Sequence, residues 1–308
     1  MTRPTLSQAD ALALNAVLVA ARQAIDAICD RWSLSIVFGA FLGARRFNEF
    51  LESTGMANRL LTARLASLRS DGLMASAPHI RGSPHQAYSL TPMGEGLFGV
   101  LLQMLLWEQA WSADASSVRA LHRPCGSPLR PRLCCAACGM PAGARDIDLR
   151  LSPAQLQRMP TKQTTRRRSI LAGARPSAGV PVLGASLDIF GDKWGIEILL
   201  CAFFRVRRFS DFRLCTGISA NILSDRLSRL VAAGVLRQDA PDYRLTEMGI
   251  DLYGVVVAIQ DWADLWLAER YRSPLALIHR GCGEAFHPQA VCATCFAPIR
   301  QADVGLES

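Results

Sequence analysis

An internal repeat constrains the fold of this 308-residue chain more than any other feature of its sequence. Trp32 and Trp194 lie 162 positions apart, and the same offset aligns residues 45–74 with 207–236, where 11 of 30 residues are identical. Further along, offsets of 155 and 157 align aromatic, cysteine and histidine positions in the same order. Repetition over this length predicts two copies of one fold, which we call copy one and copy two.

Composition narrows the class of protein. The chain is 50% hydrophobic and 19% charged, which excludes a largely disordered protein, and its net charge of +8 favours a polyanionic partner. No apolar run approaches the ~20 residues that cross a bilayer, and the N-terminus has no signal-peptide pattern. We therefore expect a cytoplasmic protein that does not enter a membrane, whose 10 cysteines are reduced.

Each copy divides into a larger module and a short tail that contains cysteines. The stretch between the copies is rich in Pro, Ser, Thr, Gly and Arg, which predicts a flexible basic linker. Its Arg166–Arg168 run is either a solvated segment or a contact for phosphate. The expected segments are a winged helix-turn-helix at 7–114, a Cys/His knuckle at 119–149, the linker at 150–180, a second winged helix-turn-helix at 181–272 and a second knuckle at 276–304.

The larger module shows the periodicity of short helices followed by a hairpin. Apolar residues in 57–70 recur at helical spacing, and Gly55 separates this helix from a shorter one at 45–52. Two extended runs follow Gly72, and then Thr91 with Pro92 marks the start of a helix. The expected fold class is mainly α with small β wings (α+β).

Both copies resemble the HxlR-type winged helix-turn-helix transcriptional regulators. The motifs they share with that family are D-(R/K)-W, RRF(N/S)(E/D)F, a TG(M/I)-x3-(L/I)-L-(S/T)-x-RL helix and Y-x-LT-x-MG. The resemblance implies a bacterial, DNA-binding and dimeric protein. Family members often carry a redox-active cysteine before the Trp-containing helix. The corresponding positions fall near Val19 and Pro181, which argues against thiol sensing there.

The helix after Gly55 is the expected recognition helix, whose exposed N-terminal side chains read base edges in the major groove. There, Arg59 suits guanine and Asn58 suits adenine. Residues 57–70 carry three arginines, whereas 219–232 carry a net +1, so copy one is expected to bind DNA more strongly. For Arg64 and Arg226 we favour structural ion pairs over DNA contacts. The candidate DNA contacts are Arg45, Arg46, Asn58, Arg59, Thr62 and Arg81 in copy one, and Arg207, Arg208, Asn221 and Ser224 in copy two.

Both tails fit the pattern H-x2-C-x9-C-x2-C, which supplies the three thiolates and one imidazole that suit tetrahedral Zn²⁺. We expect two zinc ions per chain, one in each tail. The alternatives are unligated remnants of a zinc site or a thiol redox pair. Cys134, Cys215 and His287 have no equivalent in the other copy and are not expected to be ligands. The predicted ligands are His122, Cys125, Cys135 and Cys138 in the first tail, and His279, Cys282, Cys292 and Cys295 in the second.

No motif for a catalytic site or a phosphate loop is present, so we do not expect an enzyme. The preferred function is a sequence-specific regulator that binds double-stranded DNA, with the two modules acting as a pseudo-dimer in which the long helices ending at Trp111 and Trp266 pack together. A homodimer of tandem chains is the second arrangement. The alternative function is a metal- or redox-responsive sensor that uses the Cys/His tails and binds DNA weakly or not at all.

Overall fold

The computed structural model describes residues 8–78, 86–112, 119–151, 183–267 and 273–307. The predicted contact Arg81 and nearly all of the predicted linker, including Arg166–Arg168, lie outside these ranges. Among the described residues, no helix is long and apolar enough to cross a membrane.

The helices and strands follow the same order in both copies, except that the two-residue strand β4 of copy one has no counterpart among the described residues of copy two. Copy one contains α1 (Gln8–Ile28), α2 (Arg31–Phe41), α3 (Phe47–Thr54), α4 (Asn58–Ser70), β1 (Met74–Pro78), β2 (Gln86–Leu90), α5 (Pro92–Glu95), α6 (Phe98–Trp111), β3 (Arg119–His122), β4 (Ser127–Pro128), β5 (Pro131–Cys135) and β6 (Ile147–Leu151). Copy two contains α7 (Gly184–Phe190), α8 (Lys193–Phe203), α9 (Phe209–Thr216), α10 (Ala220–Ala232), β7 (Leu236–Asp239), β8 (Asp242–Leu245), α11 (Glu247–Asp251), α12 (Tyr253–Trp266), β9 (Leu275–His279), β10 (Pro288–Cys292) and β11 (Val304–Glu307).

The helix-turn-helix of copy one is set by local hydrogen bonds. The Asp30 carboxylate accepts a hydrogen bond from the Ser33 amide at the start of α2. The Glu49 carboxylate accepts from the Arg45 and Arg46 amides, so α3 begins at Phe47, two residues later than the pattern predicts. Gly55 has φ 65° and ends α3, which is the left-handed conformation that glycine adopts without strain. These features confirm the predicted turn.

Each wing is an antiparallel hairpin followed by a capped helix. Met74 pairs with Leu90 in copy one, and Leu236 pairs with Leu245 in the shorter hairpin of copy two. The Thr91 hydroxyl accepts from the Gly94 amide, as the Thr-Pro pattern predicts. A Cβ at Gly94 would lie 2.1 Å from the Leu73 carbonyl oxygen, so only glycine fits where this helix approaches the wing. The mixed α and β content and the winged modules confirm the expected fold class.

The chain divides into two compact units that do not coincide with the two copies. The first, which we call the copy-one unit, comprises residues 27–132, 169–191 and 290–308. The second, the copy-two unit, comprises residues 1–26, 133–168 and 192–289. Each unit therefore contains the helix-turn-helix of one copy together with an N-terminal helix and a tail segment from the other copy.

Specific contacts fix the exchanged helices. In the copy-two unit, the Arg22 guanidinium of α1 forms a bidentate salt bridge with the buried carboxylate of Glu197 on α8, at 3.0 and 3.1 Å. In the copy-one unit, the Glu108 carboxylate accepts from the Ser186 amide at 2.6 Å, which joins α6 to α7. The sequence alone does not show which copy these helices pack against.

Candidate metal centres and nucleic-acid interface

The copy-one unit brings together His122, Cys125, Cys292 and Cys295. Their four potential ligand atoms lie within 4.8 Å of one another. His122 Nδ1 lies 3.2 Å from Cys125 Sγ and 3.4 Å from Cys295 Sγ, and the Sγ atoms of Cys125 and Cys292 are 3.8 Å apart. The imidazole is fully buried, whereas Cys295 is exposed.

The copy-two unit builds the matching centre from Cys135, Cys138, His279 and Cys282. His279 Nδ1 lies 3.3 Å from Cys282 Sγ and 3.4 Å from Cys138 Sγ. The Sγ atoms of Cys135 and Cys282 are 4.0 Å apart. The two centres therefore have the same ligand set and nearly the same geometry.

This grouping corrects the sequence-based expectation that each tail forms its own site. The His-x2-Cys pair of one copy joins the Cys-x2-Cys pair of the other copy. The cause is an exchange of strands, because β3 pairs with β11 and β6 pairs with β9. Identical spacing in the two tails makes the exchanged and unexchanged groupings equivalent in sequence, so the spacing could not distinguish them.

Tight turns present each pair of ligands. The Gly126 and Gly283 amides donate to the carbonyls of His122 and His279, and both glycines have positive φ, at 66° and 76°. The same turn after Cys135 uses Gly139, with φ 74°, but the turn after Cys292 places Phe296 at φ 60°. Such a turn folds the chain back so that two ligands three residues apart face the same point.

These donors fit a tetrahedral metal ion. Zinc–sulfur bonds of about 2.3 Å place two sulfurs of a tetrahedron about 3.8 Å apart, close to the observed separations. All eight ligands belong to free cysteines or to buried histidines, and none of the cysteines is in a disulfide. A hydrogen bond from the Met140 amide lowers the pKa of the Cys138 thiol, whereas the neighbouring Cys135 and Cys138 contribute to a raised pKa of Cys282 in the same group. Cys134, Cys215 and His287 lie outside both groups, and His287 contacts Asp261 instead.

The recognition helix α4 of copy one presents the predicted residues to solvent. Asn58, Arg59 and Thr62 are all exposed, whereas Leu61 and Leu65 on the opposite side are buried. An exposed guanidinium beside an exposed amide in the first turn is an arrangement that can reach base edges.

The arginine shared by both recognition helices has the structural role that we favoured. Arg64 Nη1 lies 3.2 Å from the Asp30 carboxylate, and Arg226 pairs with Asp192 at the equivalent place. Burial raises the pKa of Asp192, and the Coulombic effect of Arg226 opposes that rise. These pairs join each recognition helix to the start of the first helix of its motif, α2 in copy one and α8 in copy two.

The helix α10 of copy two offers less positive charge to a partner. Asn221 and Ser224 are exposed, but Asp225 pairs with Arg226 and lies 3.1 Å from Arg229. Asp225 therefore offsets part of the positive charge of the two arginines on this helix.

The arginines that precede α3 and α9 also make internal contacts. Arg45 Nη1 donates to the carbonyls of Ala40 and Ala44, and the exposed Arg46 lies 3.9 Å from Glu49. Arg208 is half-buried and lies 4.0 Å from Asp242, and Arg207 lines a cavity.

The same fold is found in known proteins. The model of the HxlR-like helix-turn-helix family matches residues 27–116 and 189–271, which together are more than half of the chain. The chain belongs to this family. Its two matched regions are a tandem duplication of the HxlR-like domain, in agreement with the repeat in the sequence.

Curated relatives of this HxlR-like protein are bacterial. One is the uncharacterised HTH-type transcriptional regulator Rv3095 of Mycobacterium tuberculosis, 35% identical over 129 residues that cover 40% of this chain and 82% of the relative. Another is the uncharacterised HTH-type transcriptional regulator YybR of Bacillus subtilis, 31% identical over 28% of this chain and 70% of the relative. The solved structure of PA1607 is 38% identical, covers 40% of this chain and 87% of that chain, and has a TM-score of 0.36.

Proposed function

We propose that this HxlR-like protein is a transcriptional regulator that binds double-stranded DNA and is not an enzyme. The observation that carries the proposal is the exposed pair Asn58 and Arg59 in the first turn of α4, on a family fold shared with proteins named as transcriptional regulators. Arg59 and Asn58 are assigned to base edges. Phosphate contacts are assigned to Arg45 and Arg46, just before the preceding helix. The other candidate DNA contacts are Thr62 and Arg81 in copy one and Arg207, Arg208, Asn221 and Ser224 in copy two.

Two zinc ions per chain complete the proposal. Three thiolates and one imidazole at tetrahedral separations are a set that Zn²⁺ prefers, and a closed set of four protein ligands is typical of a structural site. Each ion would hold a tail segment of one copy to the tail of the other. Zinc would thereby stabilise the exchanged arrangement within each unit.

The two winged helices are proposed to act as a pseudo-dimer. The exchange of α1, α7 and the tails gives each unit segments of both copies, as intertwined subunits of a homodimer would have. The expectation that α6 and α12 pack together belongs to this proposal, with recognition helices about 34 Å apart on two half-sites. Two tandem chains on one operator would be the other arrangement.

A titration of promoter DNA at several salt concentrations tests DNA binding. Arg59→Ala is expected to weaken specific binding by about 1–3 kcal/mol and to relax the preference at one base pair. The matched control is Asn221→Ala at the equivalent position of copy two, expected to change affinity by less than threefold. Equal affinities of wild type and Arg59→Ala would contradict the assignment of copy one as the reader.

The second candidate is a metal- or redox-responsive sensor. It is favoured by one observation, the exposure of Cys138 and Cys295, one thiol in each centre that oxidants can reach. Metal depletion distinguishes the two functions. A structural role predicts that chelation destabilises the whole protein, whereas a sensor predicts reversible loss or gain of partner binding with the fold intact.

A further inference from the structure

The copy-two unit contains a cavity of about 900 Å³. Its walls come from α1, α8, α12 and β9 and are mostly apolar, with Val17, Ile196 and Val257 among them. This volume lies at the upper end of the range for small-molecule sites. None of the Cys/His ligands and no residue of the recognition helix lines this cavity, so neither candidate site explains its presence.

Two buried polar atoms beside this cavity have no partner. The Tyr253 side chain belongs to a residue that is only 8% exposed, and its hydroxyl makes no hydrogen bond within the described part of the chain. Nη1 of Arg207 is also buried without a hydrogen-bond partner. Buried donors without partners cost stability, so their retention points to a ligand that supplies the missing acceptor. Burial raises the pKa of Tyr253 well above its usual value, which keeps the phenol a neutral donor.

The charged side chains around the cavity leave an excess of positive charge. Of its six arginines, Arg145, Arg237, Arg244 and Arg280 already form salt bridges with carboxylates. The acidic lining residues are Asp148, which pairs with Arg280, and the exposed Asp264. The exposed Arg205 and the half-buried Arg207 form no salt bridge among the described residues. Two uncompensated guanidinium groups at an apolar cavity suit an anionic group on a mostly apolar molecule.

The backbone at Arg205 supports a role for this side chain. Its φ is 63°, a conformation that strains a residue with a side chain. The equivalent residue of copy one, 162 positions earlier, is Gly43, which adopts φ 105° without that strain. Copy two thus has a strained arginine where the other copy has glycine.

Two other polar residues of the cavity are also specific to copy two, whereas Arg207 is retained as Arg45 in copy one. At the offset of 155, Tyr253 corresponds to Phe98, and Gln260 corresponds to Leu105. These differences remove a hydroxyl and an amide from copy one while keeping side chains of similar size. The polar cavity lining is therefore not a general requirement of the fold.

We propose that the copy-two unit binds a small amphipathic anion, with an apolar body among α1, α8 and α12 and an acidic group held by Arg205, Arg207 and the Tyr253 hydroxyl. The wing also lines the cavity, through Tyr243 and Leu245 of β8. A bound molecule would consequently contact the wing. Control of DNA binding by such a ligand rests on the proposed function, but the binding itself does not.

Fluorescent probes test the binding without DNA. The anionic probe is 1-anilinonaphthalene-8-sulfonate, and N-phenyl-1-naphthylamine is its neutral counterpart without the sulfonate. Wild-type protein is expected to bind one equivalent of the anionic probe. The double variant Arg205→Gly/Tyr253→Phe, which has the residues of copy one, is expected to weaken the anionic probe at least tenfold and the neutral probe less than twofold.

The remaining outcomes overturn the proposal. No saturable binding to wild type, unchanged anionic binding in the double variant, or equal weakening of both probes would each exclude this site for an amphipathic anion. Val257→Trp places a bulky ring in the apolar part of the cavity and provides a second test if the double variant fails to fold. Weaker binding of both probes in that variant, with native circular dichroism, is expected, and unchanged binding of both would refute the cavity as the site. These measurements contain no DNA, so they remain valid even if the protein does not bind DNA.

Discussion

Copy one and copy two share the same helices and wing but use their polar residues on different surfaces. Copy one exposes Arg59 in the first turn of its recognition helix, where copy two has Asn221. Copy two instead places Arg205 and Tyr253 beside a cavity, where copy one has Gly43 and Phe98. The buried leucines of the recognition helices are retained, since Leu61 and Leu65 recur as Leu223 and Leu227. Duplication has therefore kept the fold in both copies while allowing their polar surfaces to diverge.

The largest expected effect concerns the exchange of metal ligands. Cys125→Ser/Cys292→Ser removes two ligands from one centre, so the chain should retain one zinc ion per molecule. Cys125→Ser/Cys135→Ser damages both centres, so the chain should lose both ions together with their folding free energy, about 10 kcal/mol for a structural site. Elemental analysis of the purified variants measures this stoichiometry. If instead only Cys125→Ser/Cys135→Ser retains one ion, each tail forms its own site and the exchanged grouping is wrong.

A smaller effect is the difference in stability that the two structural ion pairs, Arg226 with Asp192 and Arg64 with Asp30, contribute. The Arg226 side chain is 6% exposed, whereas that of Arg64 is 19% exposed. Arg226→Met should cost about 3–5 kcal/mol of unfolding free energy because it leaves the Asp192 carboxylate largely buried without its partner. Arg64→Met should cost about 1–2 kcal/mol, since water reaches that pair. Chemical denaturation at pH 7 measures both, and equal costs would show that burial does not distinguish the pairs.

The cost of Arg226→Met should also depend on pH. Burial raises the pKa of Asp192, and removing Arg226 raises it further because the favourable Coulombic contribution is lost. A raised carboxyl pKa destabilises the folded state once pH exceeds the unfolded value near 4, and the penalty grows until the folded pKa is passed. The difference from wild type should therefore shrink as pH falls from 7 towards 5.

The smallest expected effect comes from exchanging the residues at positions 59 and 221 between the two recognition helices. Asn221→Arg gives copy two the guanidinium of copy one and should strengthen DNA binding by up to about 1 kcal/mol. The gain is limited because Asp225 lies one turn further along the same helix. Arg59→Asn should weaken binding and is the matched partner. If Asn221→Arg strengthens binding as much as Arg59→Asn weakens it, the two helices make equivalent contacts with DNA. Copy one would then not bind DNA more strongly than copy two.

The sequence predicted the features that depend on local spacing. Helical periodicity in 57–70 predicted α4, the Thr91–Pro92 pair predicted the cap after the wing, and the repeat predicted two copies of one fold. The resemblance of their motifs predicted the HxlR-like family. The eight residues of the metal centres also follow from their spacing. Their grouping does not, because His122 has an equally spaced partner in each tail. Only the pairing of β3 with β11 decides between them.

The cavity could not be predicted in the same way. Arg205 lies in the turn after α8, and Tyr253 is the first residue of α12, 48 positions later. Neither periodicity nor a sequence motif connects two positions so far apart. The absence of their counterparts in copy one is visible from the alignment of the repeats. That signal marks the positions as divergent, but only the fold shows that they line one cavity.

The exchange of segments changes what a single mutation does to this protein. In a homodimer of identical subunits, every substitution appears twice, so a new ligand pocket or a lost DNA contact would affect both halves at once. Here Tyr253 and Phe98 occupy corresponding places in one chain, but each can be substituted without changing the other. Each unit nevertheless requires a segment from the other copy, so neither half of the gene could be deleted without leaving an incomplete unit. The two halves can therefore diverge in sequence, as the subunits of a heterodimer do. Because they belong to one chain, they are always made in equal amounts.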